Sequence, residues 1–315
     1  MLETTLLSKI GSNCSAIIKA LLSGKDVYGL TCYRSACGAQ VLFADRDGIG
    51  ASAGGALAAA LCQGGLADVG DYTAEFGGKT LPYVRSRTSL PRLATLTLQS
   101  ADCFEGVMLS GPIKLHLDLA PEVEYNDDPS SGSFSLLVQA DSVPSDEWMI
   151  SLARRAGCIP DQLTLLVAPQ TGLLGAAQIA GRMNENMIFT MERSLGLDAN
   201  CIASIEGYAP VCPPGAKTKR KKILLPDDYL HYGAFSRLTL CPGSGIDAQK
   251  LAGELAFCSL SIFGSLFIDL LDQAGGDFFK IPNLLHINKL ALVEVYDPES
   301  GRTCRAGELR PDLLV

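Results

Sequence analysis

The sequence predicts an α+β fold in two domains. Segments with apolar residues at helical spacing and segments with alternating apolar residues follow one another irregularly, and no fixed period repeats. A length of 315 residues, of which 47% are hydrophobic, allows one large domain or two ordinary ones. The polar, turn-rich segment "YNDDPSSGS" at 125–133 favours two. We therefore place an N-terminal α+β domain at 1–145 and a C-terminal one at 146–315.

Helix and strand signals alternate through the first domain. The N-terminal 24 residues predict an amphipathic helix, and "AGGALAAAL" (53–61) predicts a helix whose small side chains allow close packing and which ends at "QGG". A third helix is predicted at 90–103 from its apolar spacing. "GVMLSGPIKLHLDLA" (106–120) predicts two strands around a Ser-Gly-Pro turn, and "FSLLVQA" (134–140) predicts a buried strand.

The second domain is predicted to begin with a helix that Ser145 caps and that ends at Gly157. The later elements are read from apolar spacing and turn residues: a strand at 163–169, a helix at 171–195, strand material at 230–243, one or two helices at 247–275, and a hairpin at 290–309.

Composition excludes several classes of protein. The net charge of −8 argues against general nucleic-acid binding. No apolar run has the roughly 18 to 20 uncharged residues that cross a bilayer, and the N-terminus lacks the order of a signal peptide. The 11 cysteines form no C-x-x-C pair, and the 3 histidines are widely separated, which makes a metal site unexpected. These features predict an acidic cytoplasmic protein with free thiols.

One stretch, "QIAGRMNEN" at 178–186, carries the strongest chemical signal. On a helical wheel Gln178, Arg182 and Glu185 fall within one narrow arc, and glycines at 175 and 181 flank it. The opposite side is apolar and is predicted to face the core: Leu173, Ala176, Ala180, Met183, Met187 and Met191.

Two interpretations of the pair Arg182 and Glu185 stay open from the residues alone. The first is a solvated ion pair at i, i+3, which would add a few tenths of a kcal/mol. The second is a carboxylate that accepts or donates a proton, with the arginine holding it ionised and ordering a water.

The surrounding motifs resemble those of the methenyltetrahydromethanopterin cyclohydrolases. "LTLLVAP" leads into "GxxQIAxRxxE", and six further segments follow the family's order along the chain: "LCQGGLADV", "LSGPIK", "EGYAPVCPP", "DDYLHYGA", "GDFFKI" and "SGRTCRAGEL". Seven colinear pieces at nearly constant spacing indicate the family's fold.

The resemblance implies two interlocked domains with a pterin-sized cleft between them, in a homo-oligomer. It implies an enzyme that adds water to the cationic methenyl bridge of tetrahydromethanopterin and opens the ring to the formyl derivative. The carrier is the substrate, and no metal or redox cofactor is expected. Glu185 and Arg182 match the catalytic positions. Further matched positions are expected to bind substrate: Gln178, Gly64, Gly65, Ser110, Gly111, Lys114, Asp228 and Tyr232.

Several polar residues of the family are replaced here. The Gly-Arg-Thr-Asn-Asp segment reads as residues 224–228, Leu-Leu-Pro-Asp-Asp, and Ser265 stands for a lysine. Other replaced positions are Ala53, Ala60, Gln139, Gln170, Gly172, Ala176 and Tyr208. Two alternatives to the cyclohydrolase therefore stay open. One is a paralogue that binds a pterin or serves as a subunit of a one-carbon complex, and the other is a hydrolase acting on a different cyclic amidine.

The basic run "KTKRKK" at 217–222 has two interpretations. It can be a solvated loop, which is usual for charge runs, or a clamp for an anionic tail of the substrate.

Overall fold

A computed structural model describes residues 9–44, 51–117, 119, 134–277 and 280–314. The chain divides into two compact units, one made of Met1–Val69 and Leu93–Gln178 and the other of Gly70–Arg92 and Ile179–Val315. Each unit contains helices and a six-stranded mixed sheet. The predicted α+β class is confirmed.

The sheet of the first unit has the strand order β1-β2-β8-β7-β6-β5. Its strands are β1 Leu30–Arg34, β2 Gln40–Ala44, β5 Asp102–Phe104, β6 Val107–Ser110, β7 Ser135–Val138 and β8 Thr164–Val167. The central strands β2, β8 and β7 run parallel, and the outer pairs are antiparallel. All four residues of β7 are buried, as predicted, because strands covered on both faces are continuously apolar.

Helices cover this sheet. They are α1 Ile10–Ser23, α2 Lys25–Tyr28, α3 Ser52–Cys62, α4 Asp146–Arg155 and α5 Leu173–Ala180. The first unit includes α5 as far as Gln178. Trp148 and Leu152 of α4 pack in one core cluster with apolar residues of β2, β7 and β8. The predicted cap of α4 is present, since Ser145 Oγ accepts a hydrogen bond from Trp148 N at 3.3 Å.

Helix α3 packs against α5 with almost no space between them. A Cβ added to Gly55 would lie 2.3 Å from Ala177 Cβ and 2.6 Å from Leu174 O. The close packing predicted for the small residues of 53–61 is thus confirmed, and it depends on the missing side chain.

We expect Gly55→Ala to lower the free energy of unfolding by about 1–3 kcal/mol, because the added methyl overpacks the contact. The matched control is Gly253→Ala, since Gly253 is also helical but has no atom within 4 Å of an added Cβ. That control is expected to keep or raise stability by up to about 1 kcal/mol. Urea unfolding of both variants checks the prediction, and equal losses would contradict it.

The sheet of the second unit has the order β12-β11-β10-β9-β4-β3. Its strands are β3 Asp68–Phe76, β4 Lys79–Thr88, β9 Ile202–Pro210, β10 Phe235–Leu240, β11 Leu292–Asp297 and β12 Arg302–Gly307. In this sheet β10 and β11 pair in parallel, whereas β11 and β12 form the predicted hairpin and are antiparallel. Burial alternates along β4 and β9, which indicates one covered face and one exposed face.

The described helices of the second unit include those that carry the candidate site residues. They are α6 Met183–Phe189, α7 Pro226–Gly233, α8 Ala248–Leu255 and, further along the chain, α9 Phe267–Gln273. Helices α6 and α7 contact β9, and α8 contacts β11 and β12. The predicted segment 247–275 thus forms two helices.

The division of the chain differs from the predicted boundary at 145/146. Residues 70–92 join the second unit because β4 pairs with β9, and residues 146–178 stay in the first because β8 pairs with β2 and β7. These pairings join segments that are far apart in sequence. The turn-rich segment 125–133 lies outside the described residues.

Two strand predictions are wrong. The alternation of Ile113, Leu115 and Leu117 predicted a strand, but Pro112–His116 is a 3₁₀ helix. Proline cannot donate to a strand ladder, and Gly111 at φ 111° turns the chain into the helix instead. Residues 230–233 belong to α7 rather than to strand material, because Pro226 and the Asp228 carboxylate start a helix there.

Two further helices are of the π type, Arg92–Gln99 and Thr190–Ser194. The first lies within the helix predicted at 90–103. The other described helical turns are short 3₁₀ segments at Pro160–Gln162, Ala199–Cys201, Phe257–Ser259, Leu284–His286 and Pro311–Leu313.

A histidine is buried in the core of the second unit. His231 on α7 is 2% exposed, and its ring stacks on Phe257 with centroids 4.1 Å apart. Within the described part of the chain its Nδ1 has no hydrogen-bond partner. Burial lowers the pKa of His231 to about 3, because the charged imidazolium would lose its hydration.

This histidine makes acid destabilising. The unfolded chain takes up a proton near the ordinary pKa of 6.5 and the folded chain only near 3, so the stabilisation is complete above about pH 6.5 and is lost below it. We expect wild type to lose about 1.4 kcal/mol per pH unit relative to His231→Leu between pH 6 and 4. Urea unfolding across this range measures the difference. A constant difference would contradict the prediction.

Candidate active site

The segment that carries Arg182 and Glu185 is a broken helix. After β8 the chain forms α5, turns at Gly181 and Arg182, and starts α6 at Met183. Arg182 has φ −91° and ψ 2° and is the N-cap residue of α6. The predicted continuous helix at 171–195 is therefore wrong. Apart from proline, glycine is the least favourable residue inside a helix, and the break falls at Gly181.

The break changes which residues can be related by a helical wheel. Gln178 lies in α5, whereas Glu185 lies in α6. The predicted helical wheel therefore does not place the two side chains on one face of a single helix. Arg182 and Glu185 are nevertheless together: Arg182 Nε donates to Glu185 Oε2 at 2.6 Å.

This ion pair is buried. The Arg182 and Glu185 side chains are 11% and 7% exposed. The alternative of a solvated surface pair is wrong. Removing two charges from water costs several kcal/mol per ion, and well-packed apolar residues of the same volume are often as stable or more so. Stability alone therefore does not account for the pair.

The apolar side of the segment forms core as predicted except at Leu173, which is only half-buried. Met183, Met187 and Met191 are each 0% exposed. They hold α6 and the following π-helical turn in the second unit.

Gln178 is buried like the ion pair, but its side-chain amide is not hydrogen-bonded within the described residues. Its residue is 1% exposed, and neither Nε2 nor Oε1 has a hydrogen-bond partner within the described ranges. A buried amide without partners costs about 1–3 kcal/mol, so such a group calls for an explanation. A polar ligand would supply one.

Gly64 and Gly65 terminate α3. Both have φ 64°, in the left-handed region, and their amides donate to Leu61 O and Ala60 O at 3.0 and 2.9 Å. Asn13 Nδ2 donates to Gly65 O at 3.0 Å. The structure thus explains both glycines by the turn that they form.

Ser110 and Gly111 lie beside the end of α3. Ser110 Oγ is 3.8 Å from Cys62 Sγ, and Gly111 N donates to Leu98 O at 2.8 Å. The structure therefore brings together two predicted segments, 62–65 and 110–111, that are separate in sequence.

Lys114 is 1% exposed and its ammonium has protein acceptors. Nζ donates to Ser100 O and Ser100 Oγ at 2.9 Å each, and it lies 2.6 Å from Asp102 Oδ2. Three acceptors match its three hydrogens. The structure gives Lys114 this internal role, and its predicted contact with substrate stays a prediction.

Asp228 and Tyr232 of α7 hold one neighbouring segment. Asp228 accepts from Leu225 N at 2.9 Å and from Phe267 N at 2.7 Å. Burial raises the pKa of Asp228 to about 7, although both hydrogen bonds oppose the shift. Tyr232 Oη donates to Ser265 O at 2.5 Å and accepts from Gly264 N at 3.1 Å, and burial raises its pKa to about 12. Their contact with substrate also stays a prediction.

The basic run forms a small exposed hairpin. Lys217, Lys219, Arg220, Lys221 and Lys222 are all exposed. Thr218 N donates to Lys222 O at 2.9 Å, and Lys222 Nζ contacts Asp269 Oδ1 at 2.6 Å. This exposure favours the solvated interpretation.

Sequence reasoning missed Asn184, which lies between Met183 and Glu185. It is 0% exposed and bonds to Ser86 and Ser236. A polar residue on the buried side of an apolar helix was the available signal.

The described residues show no feature of a metal site or of a membrane span. They contain no group of three or more His, Cys, Asp or Glu placed to hold a metal ion. None of their helices combines the length and apolar character needed to cross a membrane. The expectation that no metal or redox cofactor is needed stays a prediction.

Comparison with known proteins identifies related sequences along the whole described chain. A family model described as "Cyclohydrolase (MCH)" matches residues 9–315. The methenyltetrahydromethanopterin cyclohydrolase of Methanocaldococcus jannaschii is 30% identical over 95% of this chain and 94% of its own length. Proteins of the same name from Methanococcus maripaludis and Methanothermobacter marburgensis are 29% and 28% identical, each over 95% of this chain and 94% and 95% of their own lengths.

Proposed function

Because the chain belongs to the cyclohydrolase (MCH) family, we propose that it is a hydrolase that converts methenyl-tetrahydromethanopterin to the formyl derivative. Water oxygen bonds to the cationic methenyl carbon, one carbon–nitrogen bond breaks, and one proton is released. The buried pair of Arg182 and Glu185 is the observation that carries this proposal.

Glu185 suits this reaction as the proton acceptor. The substrate carries a delocalised positive charge, so an apposed carboxylate stabilises it and can take the proton of the attacking water. The same group can then return a proton to the departing nitrogen. A side chain 7% exposed acts in a low-dielectric environment, where such charge interactions are strong.

Arg182 keeps that carboxylate oriented. Its Nε binds Oε2 at 2.6 Å, and we propose that Oε1 is the oxygen that takes the proton of the attacking water. A guanidinium stays charged at all working pH values, so it cannot compete for the proton.

For Gln178 we propose a hydrogen bond to the pterin carrier. Its buried amide offers one acceptor and two donors, and neither of its polar atoms is bonded in the described structure. The planar amide edges of a pterin present the complementary groups. Gly64, Gly65, Ser110 and Gly111 are proposed to present backbone and hydroxyl groups to the same ligand.

A direct assay tests the function. Purified protein is supplied with methenyl-tetrahydromethanopterin, and loss of its absorbance is followed against buffer alone. We expect saturable acceleration. No acceleration would refute the proposal, and binding in titration calorimetry without turnover would support the pterin-binding paralogue. That alternative is not favoured, because the Arg182–Glu185 pair is present and the relatives carry enzyme names.

The homo-oligomeric state and the cytoplasmic location stay predictions. Light scattering coupled to size exclusion measures the oligomeric state.

The cyclic-amidine alternative is tested by supplying the methenyl compound of a different carrier in the same assay.

A further inference from the structure

Three residues form a row across the second sheet, directly under α6. Ser86 on β4 pairs with Gly207 on β9, and Gly207 pairs with Ser236 on β10. The two serines therefore flank a glycine at the same level of the sheet, and both are 0% exposed.

The side chain of Asn184 occupies this row. Its Nδ2 donates to Ser86 O at 2.9 Å, and its Oδ1 accepts from Ser236 Oγ at 2.8 Å. The amide is thus bonded to strands on both sides of β9. Because one end donates and the other accepts, the two bonds define which way the amide points.

Gly207 makes room for the amide. A Cβ added there would lie 2.7 Å from Asn184 Oδ1 and 2.6 Å from Ser236 Oγ. Real Cβ atoms do not approach so closely, so no larger residue at 207 is compatible with this arrangement. Gly207 belongs to the "EGYAP" segment, and the next residue, Tyr208, is exposed.

This arrangement matters because α6 is short and begins directly after the turn that interrupts the helix at Gly181 and Arg182. Arg182 does not continue the helix of α5, so the backbone hydrogen bonds of α5 do not set the rotation of α6. Side-chain contacts with the sheet must set it. Asn184 is adjacent in sequence to Glu185, so a shift of one moves the other.

We propose that Asn184, seated on the row Ser86–Gly207–Ser236, is a positioning residue that holds the Arg182–Glu185 pair in its working geometry. This inference rests on the proposed function. Asn184 acts through α6 and not by contact with substrate. Misplacing a catalytic group by about 1 Å can lower the rate about 100-fold. The hydrogen bonds of Asn184 are therefore expected to affect turnover more than substrate binding.

The test compares kcat, KM and unfolding of matched variants in the full chain, with methenyl-tetrahydromethanopterin as substrate. Asn184→Ala is expected to lower kcat by about 10- to 100-fold while KM changes less than about threefold. Gly207→Ala does not serve as a second variant, because its Cβ would also lie 2.6 Å from the backbone oxygen of Phe235 and would disturb β10.

Thr190→Val is the matched control. Thr190 is also 0% exposed and anchors the next turn of the same segment, where its Oγ1 donates to Asn288 O at 2.6 Å. It should lose stability as Asn184→Ala does and keep its kcat. A role confined to folding would lower kcat equally, or not at all, in both variants.

A double-mutant cycle gives a second readout. Ser236→Ala removes the donor to Asn184 Oδ1, and we expect Asn184→Ala/Ser236→Ala to lower kcat no further than Asn184→Ala alone. If Asn184→Ala fails to fold, Ser236→Ala against Thr190→Val carries the comparison, because it deletes one oxygen only.

The outcomes separate this inference from the proposed function. An active wild type with kcat unchanged in folded Asn184→Ala and Ser236→Ala overturns the inference and leaves the function standing. An inactive wild type overturns both. Independent, additive losses of kcat in Asn184→Ala and Ser236→Ala would also contradict the proposal, because the two side chains act through one hydrogen bond.

Discussion

Glu185→Gln is expected to lower kcat by about 10²- to 10⁴-fold, the range that a positioned proton-transfer group contributes. Glutamine keeps the size of the side chain but has no basic oxygen and no negative charge toward the cationic substrate. KM should change much less, because the carboxylate acts mainly in the transition state. Stopped-flow or steady-state loss of the methenyl absorbance measures both constants.

The chain offers a matched control for this change. Glu192 is also a glutamate paired with an arginine, Arg92, whose Nε lies 2.5 Å from Glu192 Oε1, and its side chain is 16% exposed. It lies seven residues, about two turns, further along the same segment. Glu192→Gln removes a comparable ion pair and should leave kcat essentially unchanged. Equal losses in the two variants would show that a weakened fold, rather than missing proton transfer, explains the effect.

Arg182→Leu is expected to lower the free energy of unfolding by about 3–5 kcal/mol and to reduce activity strongly. The change removes the cation that Glu185 contacts, and a buried charge that loses its partner is costly. Urea unfolding and the absorbance assay are run on the same preparation. Wild-type stability in this variant would contradict the prediction.

The double variant Arg182→Leu/Glu185→Leu separates stability from catalysis. Replacing a buried ion pair by apolar residues of similar volume is often neutral or stabilising, so the double variant should recover most of the stability lost by Arg182→Leu. It should stay inactive, because it has no carboxylate. Recovery of activity along with stability would remove Glu185 from the mechanism.

Local patterns explain which predictions succeeded. The capped helix at Ser145, the small-residue helix at 53–61 and the hairpin around 298–301 depend on neighbours within a few positions. The pair of Arg182 and Glu185 is also local, at i, i+3, so its contact survives the break that the wheel did not foresee.

Errors arose where backbone conformation depended on single residues that interrupt a pattern. Apolar alternation at Ile113, Leu115 and Leu117 fits a strand, yet Gly111 and Pro112 turn the chain into a 3₁₀ helix. Apolar periodicity through 171–195 fits one helix, yet the chain breaks at Gly181 and Arg182. Periodicity averages over a window and does not resolve such a residue.

Residue types and their order along this chain were sufficient for the α+β class, the family resemblance, and the contact between Arg182 and Glu185. The tertiary structure alone decided that the pair is buried, how the two units share the chain, and what holds α6. Asn184 meets Ser86 and Ser236 from 98 and 52 positions away, and their meeting depends on strand registers. Register follows from which strands pair, and that choice is made by the packing of the whole unit and not by any one segment.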